Sequence, residues 1–424
     1  MRFLFVHQRF PGQFKHIACA LADDPRHEVV AVGDVANIKA SLTLHPRVTV
    51  YGYASPKAGE QQTHVYLREY ENHVRRGQQL LRACLRLKEQ GFVPDVVAVH
   101  PGWGEGLFLG EIFPTARHIH YCEYYYHAEG ADLGFDPEFP AGIDSRLHVR
   151  LRNATQLLGL SECAAGVSPT RWQRSLYPAE FQSKIRVLHE GIDTSQAKPD
   201  PRAFLEVQGK VFRAGDQVIT YVARNLEPYR GFHRFVRALP ELQARCPTAQ
   251  FVVVGGDEVS YGARLPAGQS YRETYVAELG ERVDWSRVHF LGRLPYRQYL
   301  KVLQLSSAHI YLTYPFVLSW SMLEAMACGC LVIGSATPPV QEVITHGENG
   351  LLVDFFDTRQ LADQVAEVLA DPLAFSRLRS RAREYIEQHY DLRTHGIPAW
   401  IELLTQHQRQ DQGMPRVAVN TGAG

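Results

Sequence analysis

Between residues 308 and 353 three short, largely apolar runs (308–312, 331–334 and 351–353) are separated by helix-forming and turn residues. Runs this short and this uniformly apolar predict strands buried on both faces, as parallel strands covered by crossover helices are. The chain is thereby directed towards an α/β fold with a parallel sheet. Within the stretch, Ser321 and Glu324 have the spacing of a capping box, which predicts a helix over 322–328 that stops at Gly329. A second helix is expected at 341–345, before the turn Glu348-Asn349-Gly350. A helix that opens at the carboxyl end of a parallel strand aims free N–H groups and the positive end of its dipole at a ligand site. Taken alone, the capping box favours ordinary crossover packing, because such boxes are common at helix starts.

With 424 residues the chain exceeds one typical core, and two domains are expected. Lys plus Arg and Asp plus Glu are equal at 45 each, which leaves no global field to recruit nucleic acid. The seven cysteines are scattered and no pair has zinc-site spacing, so reduced thiols in a cytoplasmic protein are expected. Cys328-Gly329-Cys330 reads as small core residues. The chain opens on a strand rather than a signal peptide, and it contains no apolar run of about 18 residues that would span a membrane.

Read in order, residues 3–7 form a strand, and a loop with Gly12 and Gln13 leads into a helix carrying Ile17 and Leu21. Residues 68–90 predict an amphipathic helix whose polar side holds Arg68, Arg75, Arg76, Arg82, Arg86 and Lys88. Such a side is either a solvated face, the reading favoured here, or a weak peripheral contact with an anionic membrane. The strand at 95–99 ends in His100 and Trp103 among three glycines. The strand at 118–121 ends in Glu123, Tyr124 and His127, an unusual density of aromatic and titratable groups for a connecting loop. The run 185–193 ends in Glu190-Gly191-Ile192-Asp193, where Gly191 allows a turn with positive φ. After a strand at 218–223 come Arg224 and Arg230, spaced to clamp an anion. Gly255 and Gly256 follow the strand at 251–254, and Arg293 and Leu294 follow the one at 288–291. Domains are expected at 1–194 and 195–385, with a closing helix at 386–407 and a disordered tail at 408–424.

The motifs LEAMACG, PPVQEVI and GENGLLV, the run LHEGID and the Arg224/Arg230 loop together resemble the retaining glycosyltransferases of family four, the group-one type. The resemblance implies the GT-B fold, in which two Rossmann-like domains with parallel sheets face an interdomain cleft. It implies a nucleoside-diphosphate sugar donor, no required cofactor and no metal; the chain also lacks an Asp-x-Asp motif. In that family the position of Glu324 binds the ribose. Gly255, Arg293, Leu294 and Ser321 fall in the nucleotide site, and Gly12, Gln13, Ser319 and Trp320 near the donor phosphates or sugar. Phe316 stands where the family has a second glutamate at the donor sugar. Arg224 and Arg230 match its basic pair and, with Glu123 in the register of a strand-terminal histidine, form the expected catalytic set. The segment from His100 to Pro140 further resembles one N-terminal subtype of the family, and its aromatic and polar residues His100, Trp103, Tyr124 and His127 are expected on the acceptor side. The implied reaction retains anomeric configuration by a same-face mechanism, in bacterial-type glycan, polysaccharide or glycoconjugate synthesis. Its acceptor would be a glycan, a lipid-linked molecule or a protein. The enzyme would be cytoplasmic or peripheral at the inner face of the membrane. Two other readings stay open: a nucleotide-sugar epimerase of the same fold, and a nucleotide-binding pseudoenzyme or partner subunit, which Phe316 favours.

Overall fold

The computed structural model describes residues 1–38, 44–56 and 63–406; the tail expected at 408–424 lies outside the described residues. Seven parallel strands form the first sheet, in the spatial order Val48–Tyr53, Glu28–Asp34, Arg2–Val6, Val96–Val99, Arg117–Tyr121, Ala165–Ser168, Ile185–Val187. Six form the second, in the order Val288–Phe290, Gln250–Gly256, Val218–Asn225, Ala308–Tyr311, Val332–Ser335, Leu351–Val353, again all parallel. The alternation of side chains along a strand, with both faces of the sheet covered, explains why apolar residues stand at consecutive positions in most of these runs. Phe3 and Phe5 pack with Ile17 and Leu21 on one face, whereas Leu4 and Val6 pack with Leu80, Cys84 and Leu87 on the other. In the second sheet Ile219 and Tyr221 meet Phe232, Phe235 and Leu239, while Val218 and Val222 meet Met322 and Met326. A two-stranded antiparallel ribbon, Phe204–Val207 with Lys210–Arg213, was not expected; Gln208 and Gly209 turn it at φ of 50° and 78°.

The amphipathic helix is Arg68–Glu89. Two of its cations serve neighbouring loops: Arg76 donates to the Trp103 carbonyl at 2.9 Å, and Lys88 to the Ile112 carbonyl at 2.9 Å. No described helix is long and apolar enough to cross a membrane. The helix expected at 341–345 lies earlier, at Pro338–Gln341, because Pro338 at its start has its φ already set for a helix. Beyond it, Asn349 accepts from the Thr345 N–H and donates to the Val343 carbonyl, holding a turn where a helix was expected.

The chain crosses between the sheets twice, and the crossings run side by side. The Ile192 N–H donates to the Tyr390 carbonyl at 2.7 Å, and the Leu392 N–H to the Ile192 carbonyl at 2.8 Å. Gly191 has φ of 99°, and a Cβ there would stand 2.5 Å from the Leu392 Cα, so this crossing admits only glycine without displacement. Helix Ser376–His389 packs Ala382 and Ile386 into the second-sheet core. After the second crossing, Ile397–Thr405 returns to the first sheet, where Trp400 is fully buried beside Phe14 and Tyr121.

A third connection is made by the loop after Arg117–Tyr121. Phe135 sits among Tyr314, Phe355 and Phe356, with ring centroids 5.1–5.2 Å apart. Asp136 has no exposed side-chain surface; it accepts from His233 at 2.7 Å, Arg234 at 3.1 Å and the Tyr314 hydroxyl at 3.2 Å. Asp132 accepts from the Tyr124 and Tyr229 hydroxyls, both at 2.9 Å. Burial works against the Asp136 charge, but the His233 bond, a backbone bond and Arg234 outweigh it and hold the carboxyl well below the usual carboxylate range. Folding is therefore stabilised by this group above the unfolded pKa of about 4, and that stabilisation is lost as pH falls towards the depressed value. Asp136→Asn is expected to cost about 3 kcal/mol in urea unfolding at neutral pH. The gap from the wild type should narrow below about pH 4; a gap constant through the acid range would show that the carboxylate is not held ionised.

Candidate active site

At the carboxyl edge of the second sheet, strand Ala308–Tyr311 leads through a loop to helix Trp320–Ala327. The N-cap is Ser319, not Ser321: its hydroxyl oxygen accepts from the Ser321 N–H at 3.3 Å, and its own N–H donates to the Tyr311 hydroxyl at 2.9 Å. The expected capping box therefore does not form, and Glu324 is released from capping. Its carboxylate is met from another helix, Tyr296–Leu305, with the Tyr296 hydroxyl donating to Oε1 at 2.9 Å and the Tyr299 hydroxyl to Oε2 at 2.6 Å. Burial raises the Glu324 pKa, and the two tyrosine bonds oppose the rise. Trp320 is 43% exposed at the mouth of this helix.

Arg293 donates to the Asn225 side-chain oxygen at 2.8 Å and pairs with Glu258, while Leu294 is half-buried beside it. Gly255 answers a need of the protein itself: a Cβ there would lie 2.6 Å from Leu226 Cδ2 and 3.0 Å from the Ala223 carbonyl, so its smallness does not point to a ligand.

The two arginines differ. Arg224 is exposed at the end of its strand. Arg230 is buried, and one terminal nitrogen donates to the Val317 carbonyl at 2.8 Å, Thr313 Oγ1 at 3.0 Å and the Tyr311 hydroxyl at 3.4 Å. Arg230 thus builds the loop that delivers Ser319. Phe316, expected near the donor sugar, lies in an aromatic cluster. It is 3% exposed, with Tyr124, Tyr261 and Tyr229 ring centroids at 4.6, 4.9 and 5.3 Å and the Arg230 guanidinium at 5.8 Å.

Across the cleft, the loop after Arg2–Val6 and the ends of two neighbouring strands converge on Glu123. Gln13 donates to Glu123 Oε1 at 2.8 Å, and His100 Nε2 stands 3.3 Å from Oε2. His100 stacks on Trp103 at 4.3 Å, and the Trp103 loop is anchored by Arg76 and by the fully buried Glu105, which accepts from Tyr53 at 2.7 Å. Burial works against the Glu123 charge, but His100, Arg224 and Gln13 together hold the carboxyl below its ordinary range. Arg224, from the second domain, therefore acts on a carboxylate of the first.

His7 belongs to this cluster and was missed by sequence reasoning. It is buried, its Nδ1 accepts from the Arg9 N–H at 2.9 Å, and its ring fills the space that a Gly12 Cβ would need, 2.5 Å away. Burial lowers its pKa, and the positive charges around it lower it further, so it is neutral at physiological pH. The one available signal was its place at the end of the first strand, before the glycine loop.

Two expected acceptor-side residues are committed elsewhere. Tyr124 is buried in the second-domain core, its hydroxyl spent on Asp132 and on the Pro315 carbonyl at 3.0 Å. His127 Nε2 is bonded to the Leu176 carbonyl at 2.6 Å. Asp136, Glu138 and His233 gather within 4.8 Å as metal ligands would, but they lie in the interdomain loop contact, where Arg234 and Arg237 already meet the two carboxylates.

Residues 25–197 match the model of the glycosyl transferase family 4 group, and residues 205–389 that of the glycosyl transferases group 1. The GDP-mannose-dependent alpha-(1-6)-phosphatidylinositol monomannoside mannosyltransferase of Mycolicibacterium smegmatis is 26% identical over 250 residues, 57% of this chain and 62% of that protein. D-inositol 3-phosphate glycosyltransferase of the same organism is 27% identical over 206 residues, 48% of this chain and 44% of its own length. The chain thus spans less than two thirds of the length of these relatives. Among solved structures, sucrose-phosphate synthase from Thermosynechococcus elongatus superposes with a TM-score of 0.72 at 17% identity, covering 97% of this chain and 99% of that one. Anabaena HepE in complex with UDP-glucose superposes with a TM-score of 0.65 at 17% identity, covering 96% and 100%. With both halves matched by family models and the two-domain architecture shared over nearly its whole length, the chain belongs to the family-four glycosyltransferases of the group-one type, with the GT-B fold.

Proposed function

We propose that the protein transfers a sugar from a nucleoside-diphosphate sugar to an acceptor hydroxyl in the cleft between its two sheets, with retention of configuration and without a metal. The observation that carries this reading is the opposition of Arg224 and the anchored Glu123 carboxylate across the cleft. Breaking the anomeric C–O bond leaves negative charge on the departing diphosphate and positive charge on the sugar ring. Arg224 and the N–H groups at the start of Trp320–Ala327 would stabilise the first. An ionised Glu123 would stabilise the second, as a carboxylate beside an oxocarbenium-like centre does. Glu123 thereby takes over the charge that the family places at the position of Phe316. Glu324 would receive the ribose hydroxyls, and Arg293 and Leu294 would flank the base. Arg230 acts through the loop it builds. No side-chain nucleophile is required where the leaving phosphate accepts the proton of the acceptor on the same face. Trp103 and His100 offer an aromatic face and a polar edge to a sugar-like acceptor, whether glycan, lipid-linked or protein-borne.

GDP-mannose and UDP-glucose, the two donors that the named relatives suggest, are the first to test, with EDTA or magnesium present and with product configuration read by NMR. Transfer or slow donor hydrolysis is expected in EDTA, and Arg224→Ala should lower kcat/KM by about 100-fold or more. Donor binding without turnover would instead support a pseudoenzyme, the reading that the buried Phe316 favours. Interconversion of the free donor would indicate an epimerase.

The pH profile tests Glu123. His100, Arg224 and Gln13 favour its charged form, so removing His100 or Gln13 raises its pKa. The acid limb of kcat/KM should therefore move to higher pH in His100→Ala, and by less in Gln13→Ala. An acid limb unmoved in both variants would remove Glu123 from the reaction.

A further inference from the structure

We infer, on the reading that Glu324 receives the ribose, that Tyr296 and Tyr299 are positioning residues which present its carboxylate to the two ribose hydroxyls and make the site select ribose over deoxyribose. The geometry is specific. Both tyrosines lie on helix Tyr296–Leu305 three residues apart, hence on one face, with ring centroids 5.8 Å apart. Each hydroxyl holds a different oxygen of the carboxylate, Tyr296 on Oε1 at 2.9 Å and Tyr299 on Oε2 at 2.6 Å. An ionised carboxylate has about four lone-pair sites, so one donor on each oxygen leaves one acceptor site on each for a vicinal diol.

A glutamate side chain without such partners would have rotamer freedom to lose on binding, and a half-buried carboxyl would take up a proton more readily. Two fixed donors reduce both costs before the ligand arrives. The groups facing Glu324 are the two tyrosines from their helix and Cys328 one turn along its own, and Asp193 acts on Tyr296 from the crossing segment. None of these is a cation, so among the described residues the tyrosine hydroxyls are the groups that oppose protonation. A ligand lacking the diol leaves the two remaining acceptor sites unpaired, which is how a site built for a hydroxyl rejects the analogue without it.

The test measures Kd by calorimetry for GDP and UDP and for their 2′,3′-dideoxy counterparts, in wild type, Tyr296→Phe, Tyr299→Phe and the double variant, from pH 5 to 8. The wild type should favour the ribose form of whichever nucleotide binds by about tenfold or more. The double variant should reduce that preference to about threefold or less, and its loss of binding on acidification should begin at higher pH. Tyr296→Phe should fall between the two; at 42% exposure its hydroxyl is removable without disturbing the core, so one variant reads out even if Tyr299→Phe folds poorly. A wild type that prefers ribose, with the preference and pH profile unchanged in Tyr296→Phe and in the folded double variant, would overturn the positioning role and leave Glu324 as the ribose ligand. Equal binding of ribose and dideoxy forms by the wild type, or binding of neither nucleotide, would overturn the ribose reading of Glu324 itself.

Discussion

The relative placement of the two sheets depends on a pair of aspartates that leave one domain and are buried in the other. Asp132 and Asp136 lie on the loop that follows the strand ending beside Glu123, and they are held by Tyr229, His233, Arg234 and Tyr314 of the second domain. Buried carboxylates with several donors each are costly to break and tolerant of few alternative geometries. Glu123 lies nine residues before Asp132, with Tyr124 bridging to the Pro315 carbonyl on the way. The position of Glu123 opposite Arg224 is thus a consequence of where this loop docks.

Both carboxylates of the cleft are held by hydrogen-bond donors. Glu123 has an amide and an imidazole, with an arginine across the cleft; Glu324 has two phenols. The first set includes positive charge and the second does not, and the two groups shift in opposite directions, Glu123 downwards and Glu324 upwards. A carboxylate meant to face a developing cation gains from being firmly ionised. One meant to accept hydroxyl hydrogens needs orientation more than excess charge. The arginines divide in a similar way. Arg224 is exposed towards the cleft, and Arg230 has one terminal nitrogen occupied by the loop that carries the helix N-cap.

What was legible in the sequence was local. Apolar runs such as 308–312 announce buried strands, the 68–90 pattern announces a long helix, and Gly191 announces a turn with positive φ, because each depends on residues within a few positions of one another. Glu324, Arg224 and Glu123 were proposed as site residues through motif resemblance and strand register. The grip on Glu324 was not legible, since Tyr296 and Tyr299 lie 28 and 25 residues away and ordinary helix periodicity does not mark them. The docking of Asp136 on His233 spans 97 residues and leaves no local trace. The capping box misled because two serines competed for one helix start. Ser319 prevailed by accepting from the Ser321 N–H and donating to Tyr311, which drew the start back to Trp320.

Phe316 shows how a departure from the family pattern is absorbed. A glutamate at this position would be surrounded by Tyr124, Tyr229 and Tyr261, with Arg230 as the nearest cation at 5.8 Å. Phenylalanine there buries apolar surface without an ion to desolvate and packs by tilted and edge-on ring contacts, which are favourable in their own right. The same rings include Tyr124, whose hydroxyl reaches both Asp132 and Pro315, so Phe316 adds to the contact that fixes the two domains. Exchanging a donor-sugar carboxylate for an interdomain aromatic cluster removes charge from one wall of the cleft. On the proposed mechanism, the carboxylate left to meet a sugar is Glu123 on the opposite wall, and the packing of Phe316 on Tyr124 helps to fix the segment that follows it.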